Sequence, residues 1–260
     1  MESLLYYISR WNATNSGYLQ KNVLSSVGIF ALACYATKAH AFETYGATKT
    51  LLFSILMCNV WSGTFNSIAL FYSESEYIID DLNKFLSVKT YVIANVLIQL
   101  FLCVVQSPFC VVVFRLFFDY NSAESVFLNR NIDYWFSFFL ILMCSDMVGF
   151  LFGMLIKNID LAMAIIPVIL IINLLLSGCL FELEGMLSSV SEYTAAKWGF
   201  ASLGSISNLN TLLPPDMENS LFEFSRHYVL RRWERLFSMS LICSIGSGIL
   251  LYFRLNFTEQ

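Results

Sequence analysis

Long apolar runs alternate with polar stretches along this chain. Six of the runs are long enough to cross a bilayer: Val23–Phe42, Thr50–Tyr72, Tyr91–Phe118, Tyr134–Ile156, Leu161–Phe181 and Leu236–Leu255. A hydrocarbon core about 30 Å thick takes about 20 apolar residues in a helix. Barrel strands would be about ten residues long with alternating polarity, and these runs are longer and uniformly apolar. The pattern predicts an all-α integral membrane protein, a single transmembrane domain over residues 1–260, with six transmembrane helices and both termini on one side.

Three amphipathic stretches lie outside the runs. Near the N-terminus Leu4, Tyr7, Ile8 and Trp11 recur at helical spacing, with Ser3, Arg10 and Asn12 elsewhere. This predicts a short N-terminal interfacial helix anchored by aromatic rings; a frayed terminal helix fits equally well. Met1 to Tyr18 lacks the basic start and long apolar centre of a signal peptide. Between the second and third spans, Ser73–Thr90 gathers Tyr77, Ile78, Leu82, Phe85 and Leu86 on one face. Glu74, Asp80, Asp81 and Lys84 fall mostly away from them. That predicts a helix on the membrane surface with its other face toward water or a protein. Glu182–Arg235 is too long for a plain connection. Its first part, Glu182 to Ser207, folds back onto the membrane in this reading, and Pro214-Pro215 breaks the segment. Phe222–Arg235 then forms a helix feeding the last span, with Arg226, Arg231, Arg232 and Arg235 as headgroup partners.

Composition supports lipid as the solvent. Of 260 residues 57% are hydrophobic and 13% charged, against roughly 25% charged in soluble domains. The net charge of −4 argues against a nucleic-acid partner. All seven Cys sit in apolar runs without a CxxC pair, so neither a zinc site nor a disulfide framework is expected. Two distant His, and no HExxH or GxSxG, give no catalytic residues. Gly46-Ala-Thr-Lys49-Thr50 lacks the Gly before Lys that a phosphate loop needs. The chain is therefore expected to carry no metal or cofactor and not to be an enzyme by itself. Basic residues fall on both sides of the six spans, so charge counting leaves orientation open.

Polar residues inside the spans are the remaining signal. Asn59, Ser62, Gly63 and Asn66 share a face of the second span. Asn95, Gln99 and Gln106 roughly share one of the third, where Pro108 marks a kink, and Asn173 and Ser177 align in the fifth. They either bind helices together or line a path for a polar or amphipathic cargo. Gly149 and Gly153 form a GxxxG face suited to close packing. Asp146 is the single acid deep in a span. It is a buried structural group, or the centre of a proton-coupled secondary carrier with Lys38 or His40 as partner. A non-transporting membrane scaffold or immunity protein is a further alternative.

Several segments in order resemble the membrane subunits of G-type ABC exporters, the type-two ABC permease family. Phe65-Asn66-Ser67-Ile68, Glu74-Ser-Glu76, Asp80-Asp81 and Leu86–Val92 are similar to that family's second span, coupling helix and start of span three. Gly149–Gly153, Ala162, Ala164, Pro167 and Leu176–Phe181 resemble spans four and five. Ser188–Ser191, Lys197–Ala201 and Asn208–Asn210 resemble the re-entrant segment that follows. Where the family carries Arg near the second acidic position, this chain has Asp80-Asp81.

The resemblance implies a multi-pass protein of the cell membrane with cytoplasmic termini and an external re-entrant segment before span six. It makes Ser73–Thr90 a cytoplasmic coupling helix. It puts Glu74, Glu76, Asp80, Asp81, Lys84, Lys157 and Asp160 against a separate ABC ATPase subunit that holds ATP and Mg. A second permease copy, or a related permease, completes a dimer in membrane lipid. Asn59, Asn66, Gln99, Asn173 and Ser177 become candidates for the path of an amphipathic small-molecule, peptide or lipid cargo.

Overall fold

The computed structural model describes residues 2–84, 87–119, 125–127, 129–156, 158–181, 183–214 and 219–258. Side chains are described outside 2–7, 9–10, 12–16, 18–19, 73–84, 159 and 254–258. The described residues form eight α-helices and two short 3-10 turns, without strands. The helices are α1 (Glu2–Ala36), α2 (Tyr45–Lys84), α3 (Val88–Phe117), α4 (Arg130–Leu155), α5 (Ile159–Leu176), α6 (Gly185–Ser191), α7 (Ala195–Ile206) and α8 (Arg226–Thr258). Among the described residues four stretches are long and apolar enough to cross a membrane: Tyr45–Tyr72, Val88–Phe117, Arg130–Leu155 and Arg226–Phe253. Helix α5 is a shorter apolar helix.

Side-chain caps mark where helices begin. Ser87 accepts from Thr90 N ahead of α3, Asn129 from Asn131 N ahead of α4, and Asn158 from Asp160 N ahead of α5. Each supplies an acceptor for an amide that the first turn leaves unpaired. Pro108 and Pro167 lie inside α3 and α5 without ending them.

Helix α4 is the hub. It packs against α2, α3, α7 and α8, while α1 lies on α2 and α3, and α5 lies on α2, α6 and α7. The α2–α4 contact is backbone to backbone. A Cβ on Gly63 would stand 2.7 Å from the Leu142 carbonyl oxygen, and one on Gly149 would stand 2.6 Å from that of Thr64. Only glycine fits at either position, and Gly153 gives Phe71 its seat one turn on. The GxxxG expectation is met here.

Three expectations change. The interfacial helix and the first span are one helix, which ends at Ala36 rather than Phe42. Trp11 is buried beside Ile68, Phe71 and Leu251 instead of anchoring at a headgroup level, because a continuous α1 carries it alongside the bundle. Likewise Ser73–Lys84 continues α2 without a break, and Val88–Thr90 belongs to α3, capped by Ser87. No glycine or proline lies between Ser73 and Lys84 to interrupt the helix. Finally, Arg232 turns inward, donating to Ser205 Oγ and Leu221 O, and Arg226, though exposed, donates through Nε to Val126 O. Carbonyls outside the long helices hold both guanidiniums, and only Arg232 is buried; Arg226, Arg231 and Arg235 are exposed.

Gly149→Val is expected to destabilise the bundle by about 1–3 kcal/mol, the usual penalty of overpacking. Gly28→Ala, whose added Cβ meets nothing within 4 Å, is expected to be neutral or slightly stabilising. Unfolding midpoints of the purified variants in detergent check both.

Candidate functional site

Among the described residues two large apolar clusters and a small one, Cys103 with Leu142 and Met143, fill the bundle. One large cluster holds Phe30, Leu52, Phe114, Phe138, Phe200 and Trp233. The other holds Trp11, Phe71, Tyr91, Phe150, Ile156 and Leu251. Along α2, α3 and α4 the residues between the clusters are polar, and they find one another. Ser62 Oγ donates to Ser26 Oγ of α1 (2.7 Å), Gln106 Nε2 of α3 donates to Ser62 Oγ (2.8 Å), and Asn66 Nδ2 donates to Gln106 Oε1 (3.3 Å). One turn on, Ser67 Oγ lies 2.8 Å from Gln99 Oε1 and 3.1 Å from Asp146 Oδ1. Its single proton serves one of these acceptors at a time. Cys103 Sγ donates to Asp146 Oδ2 at 2.8 Å. Asn59 donates to Ile55 O and receives a weak bond from Cys110 Sγ.

The candidate path residues thus fall into two groups. Asn59, Asn66 and Gln99, all buried, belong to this layer and join α2 to α3 or to its own turn. Asn173 and Ser177 lie apart on α5. Asn173 Nδ2 donates to Ile169 O, and its Oδ1 accepts from Ala196 N. It therefore caps the first turn of α7, whose own N-cap Thr194 makes no side-chain cap bond. Ser177 donates to Leu174 O and accepts from Cys179 N, ordering the turn that leaves α5.

Asp146 is buried with Ser67 and Cys103 as its hydrogen-bond partners. Lys38 and His40 stand in the exposed turn after α1, where His40 Nδ1 pairs with Glu43 at 2.9 Å. The first span stops before reaching them, so neither serves as a buried partner for Asp146. Sequence reasoning missed Ser67, Cys103 and Ser26 in the layer. Their signal was position: Ser67 follows Gly63 by four residues and so lies on the same side of α2.

The α6–α7 segment packs onto the bundle. Gly199 presses on Leu56 of α2 and Ile141 of α4. At the far end of α7, Ile206 O accepts from Arg130 Nε and Nη2 at 3.2 and 3.1 Å, and Asn208 takes a left-handed conformation at φ 52°. Both are helix-stopping devices, a cation on the last carbonyls and an αL residue that Asn tolerates. Between α2, α4, α5 and the start of α7 lies a cavity of about 190 Å³, bordered by Thr64, Ser145, Val148, Ile169, Asn173 and Thr194 among others.

At one end, Tyr72 Oη donates to Ile156 O at 2.7 Å, tying the end of the apolar stretch Tyr45–Tyr72 to the end of α4. The acidic extension of α2 and the α4–α5 turn therefore leave the bundle at one end. Trp11 and Leu251, from the two terminal helices, pack there too. Asp160 is exposed in the first turn of α5. Lys157 and the side chains of Glu74, Glu76, Asp80, Asp81 and Lys84 lie outside the described residues.

A protein-family profile described as ABC-2 type transporter matches residues 6–203. No curated protein matches the chain significantly.

Asp146→Asn keeps an oxygen to accept from Ser67 and is expected to fold like the parent. Asp146→Ala strands Ser67 and Cys103 and is expected to cost about 1–3 kcal/mol, the usual penalty for unpaired buried polar groups. Thermal unfolding in detergent compares the two. Equal losses would contradict the acceptor role, and a carrier centred on Asp146 would instead lose transport with Asp146→Asn.

Proposed function

The chain belongs to the ABC-2 type transporter family, the membrane-spanning permease component of ABC transporters, and from that premise we propose that it is the permease subunit of an ATP-driven exporter. In this reading six helices span the membrane: α2, α3, α4 and α8, with the apolar parts of α1 and α5. Both termini face the cytoplasm. Two copies, or this chain and a related permease, pair in the membrane, and separate ATPase subunits hold the ATP and Mg.

The observation that carries the reading is the length and polarity of α2. Forty residues at 1.5 Å each make a helix of about 60 Å, twice the hydrocarbon thickness of about 30 Å. Its apolar part ends at Tyr72. The following stretch carries Glu74, Glu76, Asp80, Asp81 and Lys84, so it belongs in water or against a protein. The Tyr72–Ile156 bond supports this reading, since it ties the start of that stretch to the end of α4. An ATPase docked at that end would grip both segments. Its ATP-driven closure would then drive the switch between inward and outward states.

The cargo path runs along α2 and α5 between the two copies. Asn173 is the candidate nearest to it. Asn59, Asn66 and Gln99 hold α2 and α3 together in this state, so cargo reaches them only when those helices part. Ser177 sets the turn where α5 ends. The cargo class is amphipathic, as a path of amides among aromatic and aliphatic residues requires.

Mild-detergent purification from the native membrane is expected to bring down an ABC ATPase in stoichiometric amount, identified by mass spectrometry. A chain that stays alone under several mild conditions would overturn the reading. Within such a complex, Glu76→Lys with Asp80→Lys is expected to lower permease-coupled ATP hydrolysis by at least about tenfold, since like charges set across an interface cost several kcal/mol. Intact assembly and hydrolysis in that variant would remove these acids from the docking surface.

A further inference from the structure

Helices α7 and α8 bring two cations to one indole ring. Lys197 Nζ of α7 and Arg235 Cζ of α8 each stand 5.6 Å from the centre of the Trp198 ring, so they lie within twice that distance of each other. The ring is held in place, because its Nε1 donates to Glu192 O at 2.8 Å. Its negative face attracts each cation, but the indole is neutral and balances neither charge. Lys197 Nζ donates to Ser188 O at 3.3 Å and has further protons to give. The Arg235 guanidinium donates to no group among the described residues. Neither cation has a carboxylate within ion-pairing reach there. Glu192 and Glu234 are exposed and pair with neither.

On α8 this pair stands where the outer surface turns apolar. Arg231, Arg235, Ile242, Ile245, Ile249 and Phe253 recur at helical spacing and share one side of the helix. The first two are exposed cations. Beyond them Ile242 is 68% and Ile245 63% exposed, and Ile249 and Phe253 continue the stripe. A step from charge to exposed aliphatic surface, with a Trp beside it, belongs at the membrane–water interface. Ile245 lies ten residues beyond Arg235, about 15 Å along the helix. That is the depth of one leaflet in a hydrocarbon core about 30 Å thick. The stripe thus presents cations and then a leaflet's length of aliphatic surface, which matches a phosphate followed by an acyl chain. A free anion would use only the first part, and an acidic peptide would leave the second bare.

We propose that Lys197, Trp198 and Arg235 form a headgroup site for one anionic glycerophospholipid, whose phosphate sits between the two cations and whose acyl chain lies along Ile242 and Ile245. The phosphate supplies the negative charge that the protein does not place beside them. The site requires only that α8 span the membrane, and it stands whether or not the chain exports anything.

The test places the full-length protein in phosphatidylcholine nanodiscs doped with phosphatidylglycerol carrying a diazirine on one acyl chain. Phosphatidylcholine with the same diazirine is the control, and adducts are mapped by peptide mass spectrometry after illumination. The anionic probe is expected to label Ile242 and Ile245 saturably and the control to label them weakly, while the exposed Leu97 and Phe101 of α3 take both alike. Lys197→Gln and Arg235→Gln are each expected to raise the half-saturating lipid fraction about fivefold, and together about thirtyfold, the effect of basic residues beside an anionic membrane surface. Arg235→Lys, which keeps the charge, is expected to retain most of the preference. Unlabelled phosphatidylglycerol is expected to compete, and inorganic phosphate is not. Equal labelling of Ile242 and Ile245 by the two probes overturns the site, as does a double variant that behaves like the parent. Displacement by inorganic phosphate as effective as by the lipid would leave a plain anion site and overturn the lipid assignment. Shielding of Ile242 and Ile245 from both probes would place a protein there, a second copy included, and would also overturn it.

Discussion

The bundle depends on the direct approach of two backbones. Where α2 crosses α4, Gly63 and Gly149 leave no room for a side chain, and the helices close until main-chain atoms touch. In lipid the apolar faces of helices gain little from leaving their surroundings, so close packing and polar contacts must hold them together. The glycine contact supplies the first and permits the second. Ser67 and Asp146 lie within a turn of it, and only at that separation can the short serine reach the short aspartate at 3.1 Å.

From this contact the polar layer spreads to the neighbours. Asp146 brings in Cys103 of α3, Ser67 brings in Gln99, and Ser62 links Gln106 of α3 to Ser26 of α1. With an apolar cluster above and below, the layer also fixes register. A shift of one helix by a turn would place these groups against aliphatic side chains, and an unpaired polar group in a dry interior is costly. Helices α1 to α4 are thereby locked along their axes. The described polar bonds of α5 go elsewhere, through Asn173 to α7 and otherwise to its own backbone.

Much of this was legible in the chain. The amide stripes of α2 and α3 and the GxxxG of α4 each named a face, and those faces meet. That the segment after α5 is more than a plain connection followed from its length, and it holds α6 and α7. Harder to read were properties set by a distant partner. Arg232 looks like a surface cation until Ser205 and the carbonyl of Leu221 are brought beside it. Asn173 looks like a pore amide until the open first turn of α7 arrives at it. Ser67 and Cys103 are too weakly polar to stand out in an apolar run, although they complete the shell of its one acid. The unbroken runs of α1 and α2 were obscured for another reason: helical periodicity reports which face is apolar, and a change of face at Ser73 reads like a change of element.

That continuity bears on how force would pass in the proposed transporter. A surface helix joined to its span by a loop could tilt alone. An extension that is the same helix as Tyr45–Tyr72 cannot rotate without turning the span. Through Gly63 and Ser67 the span is held to α4, so a push on Glu74–Lys84 moves α2 and α4 together, and α3 with them through its amides. The compliant boundary is the one without a polar layer, where α5 rests on α2 across the cavity; α7 is bonded to α4 and α8 through Arg130, Tyr134 and Arg232. Domain motions follow the weaker of two packed surfaces, and interfaces switch between discrete packings instead of deforming smoothly. The polar layer, with α7 bonded to α4 and α8, would therefore make the rigid part of the subunit, and α5 the part that moves against it.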